Sequence, residues 1–315
     1  MRRFVHLLGT LCLFFMSFTA LADGYPSKPV QLIVPYPAGG GSDALMRAYA
    51  EAGRRYFPES FLVINRPGAI GAIGFDEGAR AKPDGYTVTM IAAELLIAPY
   101  VKMGKSTFEN FELIGRINVD PGVILVRNDA PWKNAEEFVA QARKHPSEVS
   151  VATGGYVFRV AMAGFEEKFG LRFNHIPYQG EGPAVVGLMG SQTDAVVASP
   201  SAVAEFARSG NLRVLGVMSE TRLQAFPDAP TLRERGFDFS AATWRGLAVP
   251  KGAPAPVLEM LRKVTEQVNG DAAFRKAAAL QEIGLAYQEP EAFKRFLVAE
   301  DAQLRKTIPK ANLGN

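Results

Sequence analysis

Cysteine is almost absent. The 315-residue chain has one, Cys12, so an intramolecular disulfide framework and cysteine-rich metal or redox motifs are excluded. Histidine is scarce as well, with three in the chain. Neither the H-E-x-x-H pattern of zinc hydrolases nor the G-x-S-x-G nucleophile elbow occurs. A charge excess is lacking too. Lys+Arg 35 against Asp+Glu 32 leaves a formal net charge of +3, which excludes the concentrated basic footprint of a nucleic-acid binder. Past the N-terminal region no apolar run is long enough to cross a bilayer. The most apolar stretch, Ile91–Pro99, is short and is interrupted by Glu94.

What is present is an ordinary globular composition, 48% hydrophobic and 21% charged, in a chain long enough for about two domains. It opens with Arg2 and Arg3, an apolar run from Leu7 to Phe18, and Ala20-Leu21-Ala22. A short positive region, a short apolar region and an A-x-A site predict a secretory signal peptide over residues 1–22, and with it a periplasmic location. Leu11, preceding Cys12, is not the small residue that a lipoprotein site needs. Cleavage after Ala22 removes the cysteine, so the mature chain must be held by its core alone.

Strands and helices then alternate. Val30–Pro35 reads as a buried strand, and Ser42–Phe57 as a helix with Leu45, Tyr49, Ala52 and Tyr56 on one face. Val123–Arg127, Val149–Ala152, Asp194–Ala198 and Leu212–Met218 read as further strands, with Val157–Phe169 and Ser201–Ser209 among the helices between them. This is βαβ organisation, an α/β class with helices on both faces of each sheet. Two groups of units, a terminal block returning to the first, and crossings near Asn118–Val123 and Thr243–Pro250 predict a clamshell. Its parts are 23–120, 121–243 and 244–315.

Two strand-end turns carry the chemistry. Tyr36-Pro37-Ala38-Gly39-Gly40-Gly41-Ser42 joins the first strand to its helix. It has neither the Lys-Ser/Thr end of a phosphate loop nor the G-x-G-x-x-G spacing of a dinucleotide fold. Free backbone N–H groups at a helix N-terminus suit a small anion, and a plain capped turn is the alternative. Asp43 would repel an anion, so it is assigned to capping or bracing the loop. A matching turn, Thr153-Gly154-Gly155-Tyr156-Val157, lies in the other half, and Arg159 just beyond it could clamp a carboxylate. Asp194 either meets a ligand amine or fixes a loop. Trp244 either walls the pocket or packs the hinge. No metal cluster and no nucleophile–base pair is evident, so neither cofactor nor metal is expected.

The segments Tyr25–Asp43 ("YPSKPVQLIVPYPAGGGSD"), Val63–Thr87, His175–Val196 ("HIPYQGEGPAVVGLMGSQTDAV"), Gly210–Gly236 and Trp244–Pro254 resemble, in order, those of the substrate-binding proteins of tripartite tricarboxylate transporters, the TctC-like or Bug family. The resemblance implies a two-lobed periplasmic-binding-protein (flytrap) fold with a mixed sheet in each lobe. It implies a monomeric carrier that closes on a small organic carboxylate and hands it to membrane permease subunits without chemistry. Carried onto this sequence, the ligand-holding turns are Tyr36–Ser42 and Thr153–Val157. Arg159 stands about where many relatives carry a histidine. Two alternatives share the shape: a ligand-sensing subunit for a membrane signalling kinase, and a clamshell enzyme acting on a carboxylate.

Overall fold

The computed structural model describes residues 24–178 and 180–311. The expected signal peptide lies outside them. The strands are β1 (Val30–Val34), β2 (Phe61–Asn65), β3 (Thr87–Ala92), β4 (Phe111–Pro121), β5 (Val123–Arg127), β6 (Ser150–Thr153), β7 (Asn174–Pro177), β8 (Ala195–Ala198), β9 (Leu212–Val217), β10 (Ala242–Pro250) and β11 (Leu285–Gln288). The helices are α1 (Gly41–Gly53), α2 (Ala72–Arg80), α3 (Glu94–Ile97), α4 (Ala135–Lys144), α5 (Tyr156–Phe169), α6 (Glu181–Met189), α7 (Pro200–Arg208), α8 (Ala255–Gly270), α9 (Ala272–Leu280) and α10 (Pro290–Thr307).

Two mixed sheets form, one per lobe. The first has the order β11-β4-β10-β3-β1-β2 and the second β7-β6-β8-β5-β9. In the first, β1 runs parallel to β2 and β3, while β10 inserts antiparallel between β3 and β4. In the second, β6 is parallel to β7 and β8, while β5 is antiparallel to β8 and β9. The period-2 alternation of a strand is visible in β5. Val123 and Leu125 enter one core, Ile124 and Val126 the other, and helices cover each face. Strands β10 and β11 of the terminal block pair within the first sheet. β10 begins at Ala242, however, so Thr243–Pro250 is already strand and the return crossing precedes it.

The lobes meet at paired strands. β4 ends at Pro121 opposite Ala242, and Gly122 N–H donates to Ala241 O at 3.0 Å. Met218 N–H donates in turn to Gly122 O at 2.8 Å. Helix α5 straddles the junction. Phe158, Met162 and Phe165 fill a core of the second lobe, while Val160 is buried in that of the first. Trp244 is fully buried, edge-on to Phe293 and Phe296, so it packs the first lobe and walls no ligand pocket. Among the described residues no helix is long and apolar enough to cross a membrane.

Behind the crossing strands lies a cavity of about 880 Å³, walled by Ile97, Val119, Val160, Phe239 and Phe296 among others, with Glu300 on its edge. Glu300 accepts from Trp244 Nε1 at 2.9 Å. Burial pushes its carboxyl up to about 7, and the Trp244 hydrogen bond and the Arg116 charge offset that only in part. The native state therefore holds this proton more tightly than the unfolded chain does. The resulting stabilisation is complete below about pH 4.5 and is lost as pH rises through about 7. Glu300→Gln keeps an acceptor for Trp244 and removes the titration. Relative to wild type, the variant is expected to gain roughly 3 kcal/mol on going from pH 4.5 to pH 8. Urea unfolding across that range checks it, and parallel pH profiles would contradict it.

Candidate functional site

The first turn folds as its glycines require. Gly39 sits at φ +84, a left-handed conformation that favours glycine, and its N–H donates to Asp43 Oδ2 at 2.9 Å. Asp43 also accepts from Arg47 Nε at 3.0 Å and, through Oδ1, from Asn65 Nδ2 at 2.9 Å. Burial pushes the Asp43 carboxyl up, but the bonds from Arg47, Gly39 and Asn65 outweigh it and hold it below its ordinary value. Asp43 thus braces the loop. Gly40 is the N-cap of α1, at φ −82 and ψ 169, and no side chain caps the helix. The N–H groups of its first turn stay open to a ligand or water.

The second lobe presents the same feature on neighbouring helices. Gly180 caps α6 and Ser199 caps α7, in neither case through a side-chain bond to the helix. The turn Thr153–Gly155 leads into α5, again without a side-chain cap. Gly154 is demanded by packing, because a Cβ there would lie 2.3 Å from Glu181 Cα. The strand-end turn is thereby pressed onto the α6 N-terminus.

Between these ends lies an interlobe cavity of about 610 Å³. The first lobe contributes Tyr36, Gly40, Ser42, Glu94, Thr243, Arg245 and Gln281, and the second Gly154, Glu181, Ser199 and Ser201. Three helix N-termini, those of α1, α6 and α7, converge on it, and each carries partial positive charge. Arg245 supplies the full charge. Its Nη1 donates to Asp120 Oδ2 at 2.8 Å and its Nε to Ser42 Oγ at 2.8 Å. Burial opposes that charge, but Asp120 outweighs it and raises the pKa. Asp120 is fully buried and also accepts from Asn118 Nδ2 at 2.9 Å and Gly284 N–H at 2.8 Å.

Two more acids face the space. Tyr36 Oη donates to Glu94 Oε2 at 2.5 Å. Ser199 donates to Glu181 Oε2 through its N–H at 2.7 Å and its Oγ at 2.5 Å. Burial pushes both carboxyls up, against the downward pull of those hydrogen bonds and of Arg245.

Of the residues singled out from sequence, the structure brings Tyr36, Gly40, Ser42 and Gly154 into this cavity. Ala38 and Gly39 are exposed on the rim of their turn, and Gly155 is exposed on its own. Thr153 is buried, with its carbonyl accepting from Tyr178 N–H at 3.0 Å. Tyr156 and Val157 pack against the first-lobe core, and Val157 also lines the rear cavity. Arg159 is half-buried and outside the cleft lining, its charge facing Glu166. Asp194 accepts from Ser150 N–H at 2.8 Å and Ser150 Oγ at 2.6 Å, which ties strand ends together and leaves the cleft to others. His175 is structural, with Nε2 3.0 Å from Glu166 Oε2.

Sequence reasoning missed Arg245, Glu94, Glu181, Ser199, Ser201, Thr243 and Gln281. A usable signal existed for two of them. Glu94 is a lone acid in an apolar stretch, and Glu181 follows a third glycine turn, "YQGEGP".

The comparisons agree with this architecture. The model of the tripartite tricarboxylate transporter family receptor matches residues 45–313. The protein BugT of Bordetella pertussis is 31% identical over 286 residues, which covers 89% of this chain and 88% of BugT. A TctC solute-binding protein from Polaromonas superposes with a TM-score of 0.80 at 42% identity, covering 91% of this chain and 99% of that one. The periplasmic binding protein BugD superposes with a TM-score of 0.77 at 31% identity, covering 92% and 99%. With two mixed-sheet lobes, a cleft between them and this breadth of match, the chain belongs to the TctC/Bug family of periplasmic solute-binding proteins.

Proposed function

We propose that this protein captures one small organic carboxylate in the interlobe cavity and delivers it to the permease subunits of a tripartite tricarboxylate-type transporter. The observation that carries the reading is the convergence of three helix N-termini and the Arg245 guanidinium on one polar cavity shared by both lobes. Backbone N–H groups and helix dipoles favour an anion there, and Arg245 takes the clamping role expected of Arg159. One lobe joins the chain through β4 to the chain from Ala242 onward, the other is the segment between them, and the two close as a monomer. Ligand bound to groups on both sides stabilises the closed arrangement by its differential affinity.

The reading is one of capture without chemistry. The histidines among the described residues lie outside the cavity, His175 on Glu166 and His145 beside Glu148. The cavity's hydroxyls on Ser42, Ser199 and Ser201 therefore have no imidazole beside them to act as general base. Native mass spectrometry of protein purified without unfolding tests the proposal. One adduct with the mass of a small organic acid, lost on denaturation, is expected. An adduct that is not an acid would contradict it.

A further inference from the structure

The rear cavity has no part in carboxylate capture by the cleft. It shares no lining residue with the interlobe cavity and, at about 880 Å³, is the larger of the two. That volume lies in the range of small-molecule pockets. Ile97, Val119 and Phe296 wall it from the first lobe, and Ala161, Met218 and Phe239 from the second. Among these apolar walls stands a cation, Arg116, which is 9% exposed. Its Nε donates to Ala286 O at 3.2 Å, and its guanidinium lies 5.0 Å from the centre of the Phe296 ring. Neither Nη group has an acceptor among the described residues. Glu300 faces the charge without an ion pair, and burial pushes its carboxyl up to about 7, so it neutralises Arg116 only in part. A guanidinium does not shed its proton, so its desolvation is offset only by acceptors on its fork. Gln288 is the cross-strand partner of Arg116 and lines the same cavity. Its Oε1 is buried and without a partner. No bond therefore fixes the orientation of that amide, and turned over it donates an N–H to an anion on Arg116.

We propose that the rear cavity is a second ligand site, which takes an amphipathic monoanion with its carboxylate on the Arg116 fork and the Gln288 amide and its apolar chain or ring between Val119, Phe239 and Phe296. The planar guanidinium offers a carboxylate two parallel hydrogen bonds. The apolar walls of both lobes then cover the body of the ligand, where burial of chain or ring supplies the affinity. The site admits one negative charge and not two. Arg116 is the one cationic side chain lining the cavity among the described residues, and the other charged groups there, Glu220 and Glu300, are acids. The inference is independent of carboxylate capture in the cleft, which engages other residues.

Octanoate and phenylbutyrate are the probes, one with a chain and one with a ring, and the primary amide of each is its uncharged match. In calorimetric titration at least one of the two acids is expected to bind the wild-type protein, at least tenfold more tightly than its amide. In Arg116→Gln the acid is expected to fall to within about twofold of the amide. Ala161→Phe places a ring in the cavity from the second-lobe side and is expected to weaken acid and amide alike, each at least tenfold. Thermal unfolding checks that each variant folds. If Arg116→Gln does not melt cooperatively, the wild-type comparison and Ala161→Phe decide. Failure of both acids to bind below about 1 mM overturns the inference. Equal binding of acid and amide also overturns it. An acid preference that survives Arg116→Gln, or binding untouched by Ala161→Phe, places the probe outside the rear cavity and overturns it as well. Each of these results leaves carboxylate capture in the cleft standing.

Discussion

Arg245→Ala is expected to cost about 3–5 kcal/mol of folding stability, the scale for breaking a buried ion pair by removing one partner. Arg245 reaches from β10 to Asp120 on β4 and to Ser42 at the start of α1, each at 2.8 Å. Asp120 is fully buried, and without the guanidinium it keeps only the neutral donors Asn118 and Gly284. Urea unfolding reads the loss. The same variant is expected to lose at least tenfold in ligand affinity, because the one cationic side chain lining the cavity among the described residues is gone. Arg245→Met combined with Asp120→Asn separates the two effects, since an uncharged pair relieves the buried acid without restoring the clamp. Stability is expected to recover largely and affinity not at all. Full affinity in a folded Arg245→Met/Asp120→Asn protein would assign Arg245 to the hinge alone.

Gly40→Val tests the first turn without disturbing the fold. Gly40 has φ −82, which valine adopts freely, and a Cβ there meets only Pro37 O, at 3.8 Å. Its neighbour Gly39, at φ +84, would be strained by any side chain and is the wrong position for the experiment. In Gly40→Val the branched side chain instead fills space at the open N-terminus of α1, where the proposed ligand would seat an oxygen or a bridging water. The thermal midpoint is expected to stay within a few degrees of wild type. Ligand affinity is expected to fall at least tenfold, or ~1.4 kcal/mol. Normal affinity in the folded variant would move the carboxylate away from this turn.

The sequence reveals what is local. A branched apolar strand, a glycine turn and an amphipathic helix are consecutive in the chain, so Val30–Gly53 can be read directly, and Gly40 and Ser42 come with it. Thr153–Val157 repeats the pattern, yet only Gly154 reaches the cavity, because α5 leans onto the first lobe and carries Tyr156, Val157 and Arg159 away. Arg245 could not be placed in the same way. It reaches the cleft only because β10 inserts between β3 and β4, a pairing of residues more than a hundred positions apart. Strand β4 itself is hidden by its composition. Phe111–Pro121 reads "FELIGRINVDP", and its Arg116 and Asp120 are buried through contacts from β10, β11 and the segment around Gly284 rather than by any periodic pattern. Strand β11, four residues between two helices, leaves almost no signal.

The central claim is that an interlobe cavity built from helix ends and Arg245 holds a carboxylate. It is tested most directly by calorimetric titration of the wild-type protein with its best-binding acid and with the primary amide of that acid. The amide matches the acid in shape and hydrogen-bonding reach but lacks its charge. The account predicts that the acid binds at least tenfold more tightly. Equal affinity for acid and amide would contradict it.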